Sequence, residues 1–115
     1  MNQVRCKLTK EQLLSKGFRF SKILSDEENE VYTYRFPVFK YNKMVVLECE
    51  LKAILGESQI DINVYDYNTN DKYAPFYYCE YGNYEKVLKI IWDKINHMLN
   101  KLGIELEESK DGGTH

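Results

Sequence analysis

Between Val45 and Leu55 the apolar residues occupy every second position: Val45, Leu47, Cys49, Leu51, Ala53 and Leu55 alternate with Val46, Glu48, Glu50 and Lys52. That period is the side-chain repeat of a β-strand, and winding the same residues into a helix would scatter the apolar groups around its circumference. The middle of the chain is therefore committed to a strand with one face in a core and the other in water. Polar turns at Tyr41-Asn42-Lys43 and Gly56-Glu57-Ser58 return the chain to neighbours of the same period. Upstream, Tyr32, Tyr34, Phe36 and Val38 share one face and Val31, Thr33, Arg35 and Phe39 the other; downstream, Ile60, Ile62 and Val64 alternate with Asp61, Asn63 and Tyr65. Pro37 has no N–H to donate, which places its strand at an edge or at a bulge. Phe18, Phe20 and Leu24, alternating with Arg19 and Ser21, predict an earlier strand that ends in the polar turn Ser25 to Asn29. Consecutive strands joined by short turns favour an antiparallel meander.

Helical signals flank this block. Thr9 and Gln12 have the spacing of a capping box, Leu8 and Leu13 that of a hydrophobic staple, and Gly17 suits the residue just past a helix end. A helix that short must dock on something to persist. At the other end Asn83 is placed to cap a long helix in which Val87, Leu88, Ile91, Trp92, Ile95, Met98, Leu99 and Leu102 recur at intervals of three and four, with Gly103 ending it. The expected fold class is α+β: a short N-terminal helix, a four- or five-stranded antiparallel meander, and a long C-terminal helix packed on one sheet face, giving two layers. Residues 1–106 form one domain on this reading, and 107–115, polar and glycine-containing, a mobile tail.

Composition narrows the function classes. No apolar run is long enough to cross a membrane, and Met1 to Gln12 contains no apolar segment resembling a signal peptide, so a cytoplasmic protein without membrane association is expected. Cys6, Cys49 and Cys79 are too widely spaced for a zinc half-site and read as free thiols. The net charge of −2 comes from 16 basic and 18 acidic residues without a block of one sign. No phosphate-cradling glycine loop or nucleophile elbow is present, and neither a cofactor nor a metal is expected.

Ten residues are tyrosine, and seven of them fall between Tyr65 and Tyr84. Lys outnumbers Arg thirteen to three, a bias that AT-rich codons produce, so codon usage accounts for part of the tyrosine count as well. Tyrosine joins a large apolar body to a polar tip and serves a half-buried strand, an interface or a stacking platform. The segment from Tyr73 to Tyr81 has two open readings, an irregular fifth strand interrupted by Pro75 or an ordered loop over the sheet. Its aromatic residues Tyr73, Phe76, Tyr77, Tyr78 and Tyr81 are the candidate binding surface for a protein partner; the competing reading is that they close the core where sheet meets helix. Nucleic acid is disfavoured, because Lys72 and Lys86 stand against Asp66, Asp71, Glu80 and Glu85.

Three other constellations bear on chemistry. Asp66, Asn68 and Asn70 match the first positions of a calcium loop, but Asp71 stands where glycine is needed and Tyr77 where the bidentate Glu belongs, so an Asx-rich turn is the better reading. Cys79 with His97 would make a nucleophilic pair only if folding joined them, and Cys79 has no neighbouring cation to lower its pKa. Glu48 and Glu50 share a strand face with Arg35 expected opposite, an arrangement that suits a cationic ligand, an acid pair or plain cross-strand ion pairing. If helices cover only one side of the sheet, this face, with Asp61, Asn63, Tyr65 and Tyr67, remains open to a partner.

The run Tyr65-Asp66-Tyr67-Asn68, then Tyr73-Ala74-Pro75-Phe76-Tyr77-Tyr78 and Glu80-Tyr81-Gly82-Asn83-Tyr84, followed by a helix ending Lys101-Leu102-Gly103-Ile104, resembles small accessory proteins of mobile elements in low-GC Gram-positive bacteria. The resemblance extends over most of the chain and assigns no catalytic or binding residue. It implies a life on plasmids, phages or conjugative transposons, where such proteins often work by binding a host or element protein. The function expected is a non-enzymatic protein-binding or regulatory module, with a small-ligand binder or minor enzyme using Cys79 or the Glu48 and Glu50 face as the alternative. Self-association through an edge near Pro37, giving a homodimer, is a third possibility.

Overall fold

A computed structural model describes residues 3–57, 59–78 and 85–104. Strands β2 (Arg19–Phe20), β3 (Val31–Tyr41), β4 (Met44–Ile54) and β5 (Gln59–Asp66) form the expected antiparallel meander, and β1 (Gln3–Arg5) pairs antiparallel with β5 to complete a five-stranded sheet of order β1-β5-β4-β3-β2. The register sets Tyr34 opposite Leu51 and Leu51 opposite Ile62, with Phe36, Cys49 and Val64 in the next row. These are the rows that alternation assigns to the core. Leu51, Cys49 and Val64 are fully buried.

Helix α1 (Lys10–Ser15) and the long helix α3 (Glu85–Leu102) lie on this apolar face. Leu13 of α1 and Leu88, Ile91, Ile95 and Leu99 of α3 join the sheet residues in one buried cluster. The capping box is complete: the Thr9 side chain accepts from the Gln12 N–H at 3.1 Å, and the Gln12 side chain accepts from the Thr9 N–H at 2.9 Å. Both helices end on a glycine with positive φ, Gly17 at 101° and Gly103 at 73°. In each case the next residue donates back to the carbonyl five positions earlier, Phe18 to Leu13 and Ile104 to Leu99, and these residues are buried. The two C-termini meet where Lys16 Nζ donates to the Leu102 carbonyl at 2.6 Å, placing a cation at the negative end of α3.

Three details differ from the sequence reading. The strand expected from Phe18 to Leu24 pairs only at Arg19 and Phe20. Beyond it the Ser21 hydroxyl accepts from the Leu24 N–H and the Ser25 hydroxyl donates to the Ser21 carbonyl at 2.6 Å, so local side-chain bonds displace the ladder. The described part of Tyr73 to Tyr81 is not a fifth strand: Ala74–Tyr77 is a short helix, α2, with Pro75 in its first turn, where no N–H is required. The fifth strand is β1 instead. It lies at the sheet edge opposite β2, and the connection through α1 crosses the core face between them.

Pro37 meets both of its expectations at once. β2 covers only Tyr32 and Thr33 of the outer edge of β3, so Pro37 is on an edge, and the register with β4 slips immediately after it. The β3–β4 hairpin turns on Asn42 and Lys43, both at positive φ, as a two-residue connection requires.

Candidate functional site: the open face of the sheet

Among the described residues, helices cover only one side of the sheet. The other side carries Thr33 and Arg35 of β3, Glu48, Glu50 and Lys52 of β4, and Asp61, Asn63 and Tyr65 of β5, because these are the alternate positions of the same strands. Arg35 is opposite Glu50, Glu50 is opposite Asn63, and Glu48 is opposite Tyr65. Strand pairing therefore delivers a guanidinium, two carboxylates, an amide and a phenol to one small area.

The side chains are mutually engaged. Arg35 Nη2 lies 2.9 Å from Glu48 Oε1 and donates to Asn70 Oδ1 at 3.1 Å, while its guanidinium carbon sits 5.3 Å from the centre of the Tyr65 ring. Asn70 reaches that position because its backbone takes a positive φ of 64°, a conformation asparagine tolerates. The Tyr65 hydroxyl donates to Glu50 Oε1 at 3.4 Å. Glu50 is only 8% exposed, the one buried charged residue described. Burial, then the neighbouring Glu50 charge, pushes the Tyr65 phenol up to about 12.

The aromatic candidates divide sharply. Phe76 is 6% exposed and stacks on Trp92 of α3 at 5.1 Å, so its ring belongs to the core. Tyr73 is half-buried, and its N–H donates to the Val64 carbonyl. The Tyr77 hydroxyl accepts from the Val64 N–H and donates to Asn63 Oδ1, both at 3.1 Å, and burial raises its pKa. β1 pairs only with residues 59–61 of β5, so Tyr73 and Tyr77 close the remaining half of that edge, the first with a backbone donor and the second with a phenol. Tyr78 alone of the described candidates is exposed, at 74%; Tyr81 lies outside the described residues.

The other constellations resolve in part. The Asp66 carboxylate accepts from the Asn68 and Thr69 N–H groups at 2.9 and 3.1 Å, the bonds of an Asx turn. Among the described residues no group of three or more His, Cys, Asp or Glu could hold a metal ion. Cys49 is inside the core, and burial raises its thiol well above the ordinary range. His97 is exposed on α3, and Cys79 lies outside the described residues. No described helix is long and apolar enough to cross a membrane.

Alternation foretells which residues share the open face, but not how they bond. The roles of Asn70 and Tyr77 were missed: each comes from a loop or turn whose path is set by tertiary contacts, and the only local signals were an asparagine-rich turn and the helix-starting Pro75.

Comparison with protein-family models, curated proteins and solved structures finds no match to this chain. Function must therefore be read from the geometry itself.

Proposed function

We propose that this is a non-enzymatic module that binds another protein through the open face of its sheet, with Arg35 and Tyr65 at the centre, and with the exposed Tyr67 and, beside the Tyr77 ring, the exposed Tyr78 as further contacts. The observation that carries it is the one-sided covering of the sheet: arginine, tyrosine and carboxylates in contact with one another stand on the face that neither α1 nor α3 covers. Arginine and tyrosine are the residues most favoured at protein interfaces, and a prearranged surface loses little side-chain freedom on binding. Glu48 and Glu50 are each engaged, one by a guanidinium and the other by a phenol, which suits recognition better than proton transfer.

A cytoplasmic setting and a host or mobile-element protein as partner belong to the same proposal, and the resemblance to accessory proteins of mobile elements favours them. The test is a tagged pull-down with cross-linking from a low-GC Gram-positive lysate. The wild type runs beside a face variant (Arg35→Ala with Tyr67→Ala and Tyr78→Ala) and a helix-side variant (Lys89→Ala). A protein retained by the wild type and the helix-side variant but lost by the face variant is the expected result. Equal retention by all forms, or retention of nothing, would overturn the reading.

A further inference from the structure

Among the described residues, the outer edge of β3 is paired only in part. Antiparallel alternation sends the backbone groups of Glu30 toward β4, where its carbonyl accepts from the Leu55 N–H, and those of Val31 outward, where its carbonyl accepts from the Ser21 N–H. By the same parity the N–H and C=O of Arg35 and the C=O of Pro37 face outward. β2 stops at Arg19, opposite Thr33, because the chain bends away at Gly17 into α1. No described element then pairs with the strand beyond Thr33.

Two grooves of about 380 and 300 Å³ continue along this edge. The first is lined by Gly17, Arg19, Thr33, Tyr34 and Arg35. The second runs between Pro37–Lys40 and α3, with Ile90 and Lys94 on its far wall. Their linings contain four cations and no carboxylate. Arg35 is bound to Glu48, but Arg19, Lys40 and Lys94 have no ion-pair partner among the described residues.

The geometry points to a peptide-docking edge: an extended, acidic segment of a partner protein adds to β3 along the line that β2 abandons, bonding to the backbone of Arg35 and placing its carboxylates against Arg19, Lys40 and Lys94. Strand addition draws affinity from main-chain hydrogen bonds and specificity from alternate side chains. The charge of the grooves selects the occupant, since a second copy pairing β3 with β3 would bring its own cations to the same place. Pro37 and the bulge after it keep the docked stretch short and guard the edge against open-ended pairing. This goes beyond the open-face reading, because the edge could take a strand even if the face bound nothing.

The probe is a labelled synthetic peptide alternating glutamate with valine, followed by fluorescence anisotropy and by hydrogen exchange of the protein. Two control peptides carry lysine for glutamate or N-methyl groups on alternate amides. Binding of the acidic peptide with slowed exchange at the Arg35 amide is the expected result. Affinity should fall by about tenfold or more for the lysine and N-methyl peptides and for the Lys40→Glu/Lys94→Glu variant, whose sites are exposed and leave the fold intact. The Tyr78→Ala variant, altered on the other proposed surface, should bind the peptide like the wild type. Absence of binding, indifference to N-methylation or charge reversal, or an Arg35 amide already protected in the free protein would each overturn the proposal. The last outcome would assign the edge to a second copy if the mass in solution doubles, and to the chain itself if it does not.

Discussion

The two faces of the sheet are built from the same strands and differ by one residue of offset, yet they do different work. On the covered face Leu51, Cys49, Ile62 and Val64 meet α3 through apolar contact that needs no direction, only volume. On the open face directed bonds join Arg35 to Glu48 and Tyr65 to Glu50, while Asn63 accepts from Tyr77 at the edge. The first arrangement accounts for the stability of the fold; the second contributes little and is better understood as a shaped surface. A sheet that needed only to fold could fill its wet face with unconnected threonine and lysine.

The sharpest way to break this contrast is to truncate neighbours that point in opposite directions. Leu51→Ala should cost about 3 kcal/mol, because a fully buried side chain leaves a cavity between β4 and α3. Lys52→Ala, one residue on, removes only a surface pair with Asp61 at 4.0 Å and should change stability by about 0.5 kcal/mol or less. Urea unfolding of both variants is the check, and comparable losses would abolish the distinction. Next in size is Tyr77→Phe, at the seam where the faces meet the sheet edge. It deletes the acceptor of the Val64 N–H and the donor to Asn63 while keeping the ring, so a loss of about 1 to 2 kcal/mol is expected with the fold unchanged. A loss near zero would mean that water replaces the phenol there.

How far these differences can be read from sequence follows the same divide. Period two in Val45 to Leu55 and its neighbours marks most of the covered face, because burial on one side of a pleat is a one-dimensional pattern; it fails at Phe39, which the slip after Pro37 sets opposite Leu47 and against the core, and at Phe20, which is 50% exposed. The membership of the open face follows largely from the same parity, and Arg35 lies across from the face of Glu48 and Glu50, as the sequence reading expects. The bonds on that face are another matter. Arg35 leans past its cross-strand neighbour to Glu48 and takes Asn70 from a turn 35 residues away, a choice that depends on side-chain reach and loop path. Likewise β1 is three residues long, with one buried position, Val4; nothing local distinguishes it from a loop, and its pairing with β5 makes it a strand. The tyrosine cluster leaves two readings open in the sequence for a related reason. Tyrosine suits both an interface and an edge seal, and which of the two obtains depends on whether an unpaired strand edge lies within reach of the hydroxyl.

Alkali tests the open face through Tyr65. Its phenol ionises at about 12 in the folded chain against an ordinary value of 10. Between those values the unfolded chain has released its proton and the folded one has kept it, so stability is intact below pH 10 and is lost as pH rises through about 12. Because the ring is only half-buried, the loss should be a fraction of the about 1.4 kcal/mol per unit that a fully desolvated group would show. Tyr65→Phe should flatten that part of the profile, measured by unfolding at a series of alkaline pH values. An unchanged slope would mean that Tyr65 ionises alike in the folded and unfolded chains, so that neither burial nor Glu50 holds its proton.

The smallest effect is expected where the structure looks most engaged. The Arg35–Glu48 pair has a short contact of 2.9 Å, a further bond to Asn70 and a ring beneath the guanidinium, but Arg35 is 37% exposed and Glu48 19%. Water screens such a pair, and ordering two long side chains offsets most of the attraction, so a double-mutant cycle on Arg35→Ala and Glu48→Ala should give a coupling of about 0.5 kcal/mol. Raising the salt concentration should reduce it further. A coupling of several kcal/mol would put the open face on the same footing as the core and make its network a structural element. A small coupling combined with loss of a partner in the Arg35 variant would separate the two roles: Arg35 would serve the partner directly while its pair with Glu48 adds little to the fold.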